Sequence, residues 1–295
     1  MINVFLGAPP EDVDQEHAGV ILLLRRETST PASSPCSSPA HHFLTRARGG
    51  KLVLMPHDVT FGLVHGSGHR GACWNPLVVE LSRRGFRSVA VDLPCDRADA
   101  GVGDYAEVVT GALREVDGPL VLVGHSLGGL TIPVVATRRP VALLVYVCAV
   151  LPDPGRSLAQ QLTDDRPAVL TAVPRQTVLP DGRTQWPPEV ARELFYHDCP
   201  PEEAAQAAQS LRPQGRVPLG ERTPLAAWPD VPAEYILCRE DRMVSPAWSR
   251  QAARQRLGVT ARELDGGHSP FLAQPAVLAT ELLSATRAHA LGNPP

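Results

Sequence analysis

A serine that could act as a nucleophile lies in the segment PLVLVGHSLGGL, residues 119–130. Gly124, Ser126 and Gly128 satisfy the pattern G-x-S-x-G. The bare pattern is weakly specific, but here it follows a buried-strand pattern and precedes a helix pattern. In that context a sharp turn exposes a serine hydroxyl for attack on a carbonyl carbon. The alternative is a glycine-rich turn with an uninvolved serine; the context favours an activated Ser126.

A nucleophilic serine needs a histidine base, and the histidine needs an acid that orients it. His268 lies in a glycine-rich loop, LDGGHSPF, after the last predicted strand, and Asp241 follows the preceding predicted strand in ILCREDRMV. Asp241 is preferred over Glu240 because a predicted helix start at Ser245 keeps this loop short and turned back over the sheet. Asp153, after the fourth predicted strand, is the rival acid.

Donors for a developing oxyanion are predicted in two glycine-rich turns. The first core strand ends in LVHGSGHRGACW, and backbone N–H groups of such a loop can point at a negatively charged oxygen. The second donor is expected from the residue that follows the nucleophile. The sequence therefore predicts the N–H groups of Ser67 and Leu127 as the oxyanion hole. The other interpretation of the loop at Ser67 is a tight turn only.

The remaining histidines and the cysteines do not indicate a metal site. His125 adjoins the serine, but we expect it to pack and to make a local hydrogen bond rather than to catalyse. His41 and His42 fall in a Ser/Pro-rich tract, and no third ligand is spaced to complete a zinc site. The six cysteines are dispersed without C-x-x-C spacing. We therefore expect neither a metal nor a cofactor.

The elements that position these residues alternate between strands and helices. Short apolar runs read VTFGLV, SVAVDL, PLVLVG, VALLVYV, AEYILC and ARELD. Such runs without period-2 alternation are typical of parallel strands buried on both faces. Helices are predicted from Asn75 to before Gly85, within residues 104–116, and from Ser245 to before Gly258. The order predicts a mostly parallel, doubly wound α/β sheet.

Residues 152–231 interrupt this alternation for longer than an ordinary connection. Helical patterns at 188–196 and 201–211 indicate a cap inserted over one end of the sheet. Its candidate substrate-binding residues are Trp186, Phe195, Tyr196 and His197. Aromatic residues at helical spacing fill cores more often than they contact substrates, so both roles stay open.

Composition excludes several classes of protein. The chain has 295 residues, with 31 acidic and 28 basic side chains and a formal net charge of -3, which is not the footprint of a nucleic-acid binder. The longest apolar run, residues 141–151, is shorter than the roughly 18 residues that suggest a membrane helix. Residues 1–57 include the tract TSTPASSPCSSPAHH and are expected to form a mostly disordered extension. The N-terminus lacks the basic start of a secretion signal, so a cytoplasmic location is expected.

Several motifs together resemble the α/β-hydrolase superfamily, over residues 59–291. These are GHSLGG, HGSGH and the chain order of Ser126, Asp241 and His268. HGxxH followed by Trp74, together with DLPC, LPDPG and FYHDC, resembles the small esterases grouped with plant methyl esterases and hydroxynitrile lyases. The resemblance implies an α/β-hydrolase domain at 58–295 with a cap at 152–231. It also implies a serine hydrolase that acts on a small or medium carboxylic ester through an acyl-enzyme. No nucleic-acid or membrane partner is expected, and the sequence carries no signal for an oligomeric state.

Three positions depart from that family pattern. Arg70 stands where the relatives usually have glycine, and Pro133 falls in the helix after Ser126, where it should cause a kink. Ser269 follows His268 where the hydroxynitrile lyases carry a lysine, and Lys51 is the single lysine of the chain. Ester hydrolysis is therefore the main expectation. The alternatives are acyl transfer, C–C or C–CN cleavage on the same scaffold, and a ligand receptor with slow turnover.

Overall fold

A six-stranded sheet forms the centre of the computed structural model, which describes residues 59–165, 168–171 and 176–290. The predicted extension, residues 1–57, lies outside the described residues. The strands of the sheet are β1 (Thr60–Val64), β2 (Arg87–Val91), β3 (Leu120–His125), β4 (Leu143–Val147), β7 (Ala233–Cys238) and β8 (Arg262–Leu264). Two short antiparallel strands, β5 (Thr177–Val178) and β6 (Thr184–Gln185), pair separately.

All neighbouring strands of the sheet are parallel, in the order β2-β1-β3-β4-β7-β8. Each of the six predicted apolar runs overlaps one of these strands, which confirms the predicted α/β sheet. The runs do not alternate because helices cover both faces of the sheet. In β3, for example, Leu122 packs into one hydrophobic cluster, whereas Val121 and Val123 pack into the other.

The helices divide between the two faces and the predicted cap. Their bounds are α1 (Asn75–Arg83), α2 (Val102–Ala112), α3 (Ile132–Ala136), α4 (Leu158–Asp164), α5 (Pro188–Phe195), α6 (Pro201–Gln209), α7 (Val217–Gly220), α8 (Pro246–Ala252), α9 (Pro270–Ala273) and α10 (Pro275–Ala290). Residues of α2 and α8 belong to the cluster on one face, and residues of α1 and α10 belong to the cluster on the other.

Helix ends follow the start and stop chemistry of the sequence. The Ser245 hydroxyl accepts a hydrogen bond from the Trp248 N–H at 3.3 Å and begins α8. The helix continues through a π-helical turn and ends at Gly258, whose φ of +71° is a conformation that glycine adopts readily. The helix expected after Ser126 is divided into a 3₁₀ turn, Ser126–Leu130, and α3, and Pro133 lies in the first turn of α3, a position that tolerates proline.

The predicted cap segment, residues 152–231, holds α4 to α7 and the β5–β6 pair. The predicted helical patterns at 188–196 and 201–211 correspond to α5 and α6. Helix α4 is not predicted by the sequence analysis, although Ser157 and Gln160 form a capping box at its start. In the part of the chain that the structure describes, no helix is long and apolar enough to cross a membrane.

Candidate active site

Ser126 lies at a strained turn directly after β3. Its φ is +52°, which is rare for a residue other than glycine, and the 3₁₀ turn begins with it. A Cβ atom at Gly128 would lie 2.6 Å from the Val64 carbonyl oxygen and 2.7 Å from that of His65. Glycine at 128 therefore allows the turn to pack against the end of β1. The G-x-S-x-G motif occupies the strand–turn–helix context that a nucleophile elbow requires.

His268 and Asp241 form a buried pair on the loops after β8 and β7. The His268 Nδ1 atom lies 3.0 Å from Oδ1 and 2.9 Å from Oδ2 of Asp241, and both side chains are almost fully buried. The N–H groups of Met243 and Val244 donate to Asp241 Oδ1 at 2.7 and 2.9 Å. The carboxylate is thus held in place, and it fixes the proton of His268 on Nδ1. Within the described residues the Nε2 atom of His268 has no hydrogen-bond partner, so it is available to accept a proton.

The two rival acids lie elsewhere. Asp153 pairs with Arg156 at 3.0 Å and lines a polar surface pocket with Asp164 and Asp165. Glu240 is exposed. Of the three carboxylates considered from the sequence, the structure brings only Asp241 to the imidazole of His268.

The two expected oxyanion donors line one cavity together with Ser126. Leu127 is the second residue of the 3₁₀ turn, and N–H groups in the first turn of a helix have no partner within the helix. In the described part of the chain, the Ser67 N–H makes no hydrogen bond. Both N–H groups thus belong to residues at the cavity and remain free to bind a negatively charged oxygen.

The cavity beside Ser126 is mainly apolar and has a volume of about 510 Å³ including its open mouth. The apolar residues of its wall are Leu127, Val150, Leu158, Leu162, Leu170, Trp186, Leu219, Met243 and Val244. The other lining residues are Ser67, Ser126 and Gln176, so none of the described residues that line the cavity carries a charge. Such a cavity suits an uncharged ligand with apolar groups.

Comparison with known proteins places this geometry in a family. A model of the alpha/beta hydrolase family matches residues 63–281, about three quarters of the chain. The chain belongs to the α/β-hydrolase family. The family resemblance inferred from GHSLGG and HGSGH, and the fold class it implies, are therefore confirmed.

Named relatives within the α/β-hydrolase family are hydrolases and esterases. The chain is 32% identical over 234 residues to a pyrethroid hydrolase of Sphingobium wenxiniae, covering 74% of this chain and 84% of the relative. It is 27% identical to methylesterase 18 of Arabidopsis thaliana, covering 76% and 96% of the two chains. A crystal structure of a pyrethroid hydrolase from Sphingobium faniae superimposes with a TM-score of 0.69 at 29% identity, over 78% of this chain and 98% of that one. These relatives confirm the expected enzyme class, a carboxylic ester hydrolase of the α/β-hydrolase family.

The four cap residues named as candidate substrate contacts occupy different positions. Trp186 lines the cavity, and the ring of Phe195 lies 4.8 Å from that of Trp186 and 5.4 Å from that of His268. Tyr196 lies on another cavity, and its hydroxyl donates to His69 Nε2 at 2.8 Å. His197 is not among the residues that line either cavity. The structure thus brings Trp186 to the cavity of Ser126 and does not bring Tyr196 or His197 to it.

The apolar wall of this α/β-hydrolase cavity was missed by the sequence analysis. Leu158 and Leu162 are one turn apart on α4, and the capping box at Ser157 and Gln160 was the signal that could have revealed this helix. Met243 joins the wall only two residues after Asp241. No local pattern distinguishes these wall residues from core residues, because both are apolar.

Buried histidines surround the site and stay neutral. His125 Nε2 donates to the carbonyl oxygen of His268 at 2.9 Å, and the two rings lie 4.7 Å apart. His125 therefore packs against its neighbours and makes a hydrogen bond. Its partner, His268, is distant in sequence, whereas a local hydrogen bond was expected. Burial lowers the pKa of His65 to about 4 and that of His69 to about 3, and it lowers the pKa of His125 well below its ordinary value.

Cys148, after β4, is the third potential metal ligand beside Asp241 and His268. Ligand atoms of the three residues lie within 4.8 Å of one another. Burial raises the pKa of the Cys148 thiol well above its ordinary value, with the neighbouring Cys238 thiol as a further cause. A thiol that keeps its proton is a poor metal ligand, and Nδ1 of His268 is already bonded to Asp241. The arrangement suits proton transfer better than metal binding.

Proposed function

We propose that the chain hydrolyses small or medium uncharged carboxylic esters through a covalent acyl-enzyme. Ser126 Oγ attacks the ester carbonyl carbon while His268 Nε2 takes the hydroxyl proton, and Asp241 stabilises the resulting imidazolium. His268 then returns the proton to the leaving alcohol. A water molecule, deprotonated by the same imidazole, attacks the acyl-enzyme and releases the acid.

The buried Asp241–His268 pair, together with the strained turn at Ser126, carries this proposal. The carboxylate fixes Nδ1–H as a donor, so the opposite nitrogen is left as the base. The N–H groups of Ser67 and Leu127 supply the oxyanion hole, which typically contributes about 10²- to 10³-fold per donor. The uncharged character of the described residues that line the cavity supports an uncharged substrate. Similarity to a pyrethroid hydrolase and to a methylesterase supports ester hydrolysis over C–CN cleavage.

Substitution of the nucleophile tests the proposal. Ser126→Ala should abolish turnover of p-nitrophenyl esters, by more than about 10⁴-fold in kcat, because no other hydroxyl replaces the attacking group. A fluorophosphonate probe should label the native chain at the peptide that carries Ser126, as mapped by mass spectrometry. Many turnovers per active site would exclude a slow receptor. Retained turnover in Ser126→Ala, or labelling of a different peptide, would contradict the proposal.

A further inference from the structure

The loop that carries Ser67 is held from the cap by residues 211–215, which we call the clamp segment. The Arg212 N–H donates to the Gly68 carbonyl at 2.6 Å, and the Gly68 N–H donates to Gln214 Oε1 at 3.1 Å. The Arg212 guanidinium donates to the His69 carbonyl from Nη2 at 2.9 Å and from Nε at 3.2 Å. Four hydrogen bonds therefore join the clamp segment to two consecutive residues of the loop.

The two clamp side chains are themselves fixed. Arg212 is 9% exposed, and its guanidinium also donates to the Leu93 carbonyl at 3.0 Å and approaches Asp92 at 3.4 Å, just after β2. Gln214 is 1% exposed, and its Nε2 donates to the Tyr105 hydroxyl at 2.9 Å. Buried polar groups with complete hydrogen bonding hold one geometry, because any other leaves a group unsatisfied.

Gly68 shows how closely the clamp segment approaches. Its φ is +69°, and a Cβ atom at this position would lie 2.8 Å from the Arg212 carbonyl oxygen. The loop and the clamp segment thus pack backbone to backbone. A displacement of the clamp segment would move the loop with it.

Histidines hold the loop from the other side. The Gly66 carbonyl accepts from His65 Nδ1 at 2.8 Å and from the His69 N–H at 3.3 Å, and the Ser67 carbonyl accepts from His69 Nδ1 at 2.9 Å. The carbonyl groups of residues 66 to 69 are then all bonded. The Ser67 N–H shares its peptide plane with the Gly66 carbonyl, so the bonds to that carbonyl also fix the direction of the N–H.

We infer that Arg212 and Gln214 are positioning residues for the oxyanion hole. Neither side chain lines the cavity, so neither touches the substrate. They act by holding the Gly68 and His69 peptides, which fixes the adjacent Ser67 N–H in the direction of the developing oxyanion. This inference rests on the proposed function, since it assigns a role in the same hydrolysis. A positioning role predicts an effect on the chemical step rather than on substrate binding.

Measuring kcat and KM for a small and a large ester distinguishes a positioning role from an effect on the shape of the cavity. Gln214→Met keeps the size of the side chain but removes the acceptor for the Gly68 N–H. We expect kcat to fall about tenfold for p-nitrophenyl acetate and by the same factor for p-nitrophenyl octanoate, with KM within about twofold. Affinity for a trifluoromethyl ketone, which forms a tetrahedral oxyanion with the serine, should fall by the factor seen in kcat/KM.

Conservative and matched variants complete the test. Gln214→Glu retains an acceptor for the Gly68 N–H but loses the donor to the Gly215 carbonyl, so its kcat should lie between that of Gln214→Met and that of the native chain. Tyr105→Phe removes one of the two acceptors of Gln214 Nε2, which keeps its bond to the Gly215 carbonyl at 2.8 Å, and should leave kcat within about twofold. Arg212→Lys loses the paired donors to the His69 carbonyl and should lower kcat for both esters. If Arg212→Lys does not fold, as judged by circular dichroism, Gln214→Met decides the inference.

Two results would overturn the inference. One is an unchanged kcat in Gln214→Met, and the other is a KM increase confined to the octanoate, which would mean that the clamp segment only shapes the cavity. Failure of the proposed function is distinguishable, because it would appear as retained turnover in Ser126→Ala. An inactive Ser126→Ala together with an unaffected Gln214→Met would remove this inference alone.

Discussion

At the scale of single residues, the orientation of His268 depends on a carboxylate with three donors. Asp241 accepts from the Met243 and Val244 N–H groups and from the imidazole. The two backbone donors prevent the carboxylate from rotating, so the imidazole is held in one plane. The acid thereby acts through geometry and charge, and it need not take a proton itself.

The role of Asp241 can be tested with an isosteric change. Asp241→Asn keeps the shape of the side chain, but its amide stabilises the imidazolium poorly and favours the wrong tautomer of His268. We expect kcat for a p-nitrophenyl ester to fall about 10³- to 10⁴-fold at neutral pH. Asp153→Asn is the matched control, because Asp153 pairs with Arg156 away from the cavity, and it should leave kcat unchanged. Similar losses in the two variants would argue against this assignment of the acid.

At the scale of elements, the approach of the elbow to β1 depends on the absence of a side chain at residue 128. Gly128→Ala would force a methyl group against the backbone oxygens of Val64 and His65, which cannot rotate away. We expect a loss of about 1–3 kcal/mol in the free energy of unfolding, together with reduced esterase activity. Gly111→Ala on α2 meets no atom within 4 Å and should stabilise by about 0.5–1 kcal/mol. Urea unfolding measures both, and a neutral Gly128→Ala would show that the elbow can shift.

Helix α4 contributes Leu158 and Leu162 to the wall of the cavity beside Ser126. Leu162→Trp would extend a large ring from α4 into the cavity and should raise KM for p-nitrophenyl octanoate about tenfold or more, with little effect on the acetate. Thr163→Trp places the same ring on the exposed side of α4 and serves as the control. Equal KM values for the octanoate in Leu162→Trp and the native chain would mean that the acyl chain lies elsewhere.

Elements with local signals were predictable from the sequence, and long-range bonds were not. The six strands and helices α5 and α6 follow from apolar runs and from Pro at helix starts. Ser126, Asp241 and His268 were expected together because parallel strands deliver their following loops to one edge. Arg212 carried no such signal, since its bond to the His69 carbonyl joins residues 143 positions apart. The apolar wall was missed because Leu158 and Met243 resemble core residues.

At the scale of the whole molecule, the neutral histidines link stability to pH. His65, His69 and His125 have pKa values below the ordinary 6.5, whereas the unfolded chain keeps ordinary values. Between about pH 6.5 and 4 the unfolded state therefore binds more protons than the folded state. Stability is fully present above about pH 6.5 and is lost as the pH falls through this window.

The size of this loss can be measured. Each buried histidine should lower the free energy of unfolding by up to about 1.4 kcal/mol per pH unit in this window. Urea unfolding at about pH 7, 6 and 5 should show the decrease, and His65→Gln should make it shallower because one titrating group is gone. A flat profile between about pH 7 and 5 would mean that these histidines have the same pKa values in the folded chain as in the unfolded chain.

The bonds between residues 211–215 and residues 66–69 also bear on the making of chimaeras. A recombination library that exchanges whole caps between homologues, with crossovers near residues 152 and 231, separates Arg212 and Gln214 from the loop to which they are bonded. Chimaeras whose loop and clamp segment come from different parent proteins would fold but would have a low kcat. Exchanging residues 66–69 and 211–215 together with the cap should preserve kcat, while the exchanged residues of the cavity wall change the substrate selectivity.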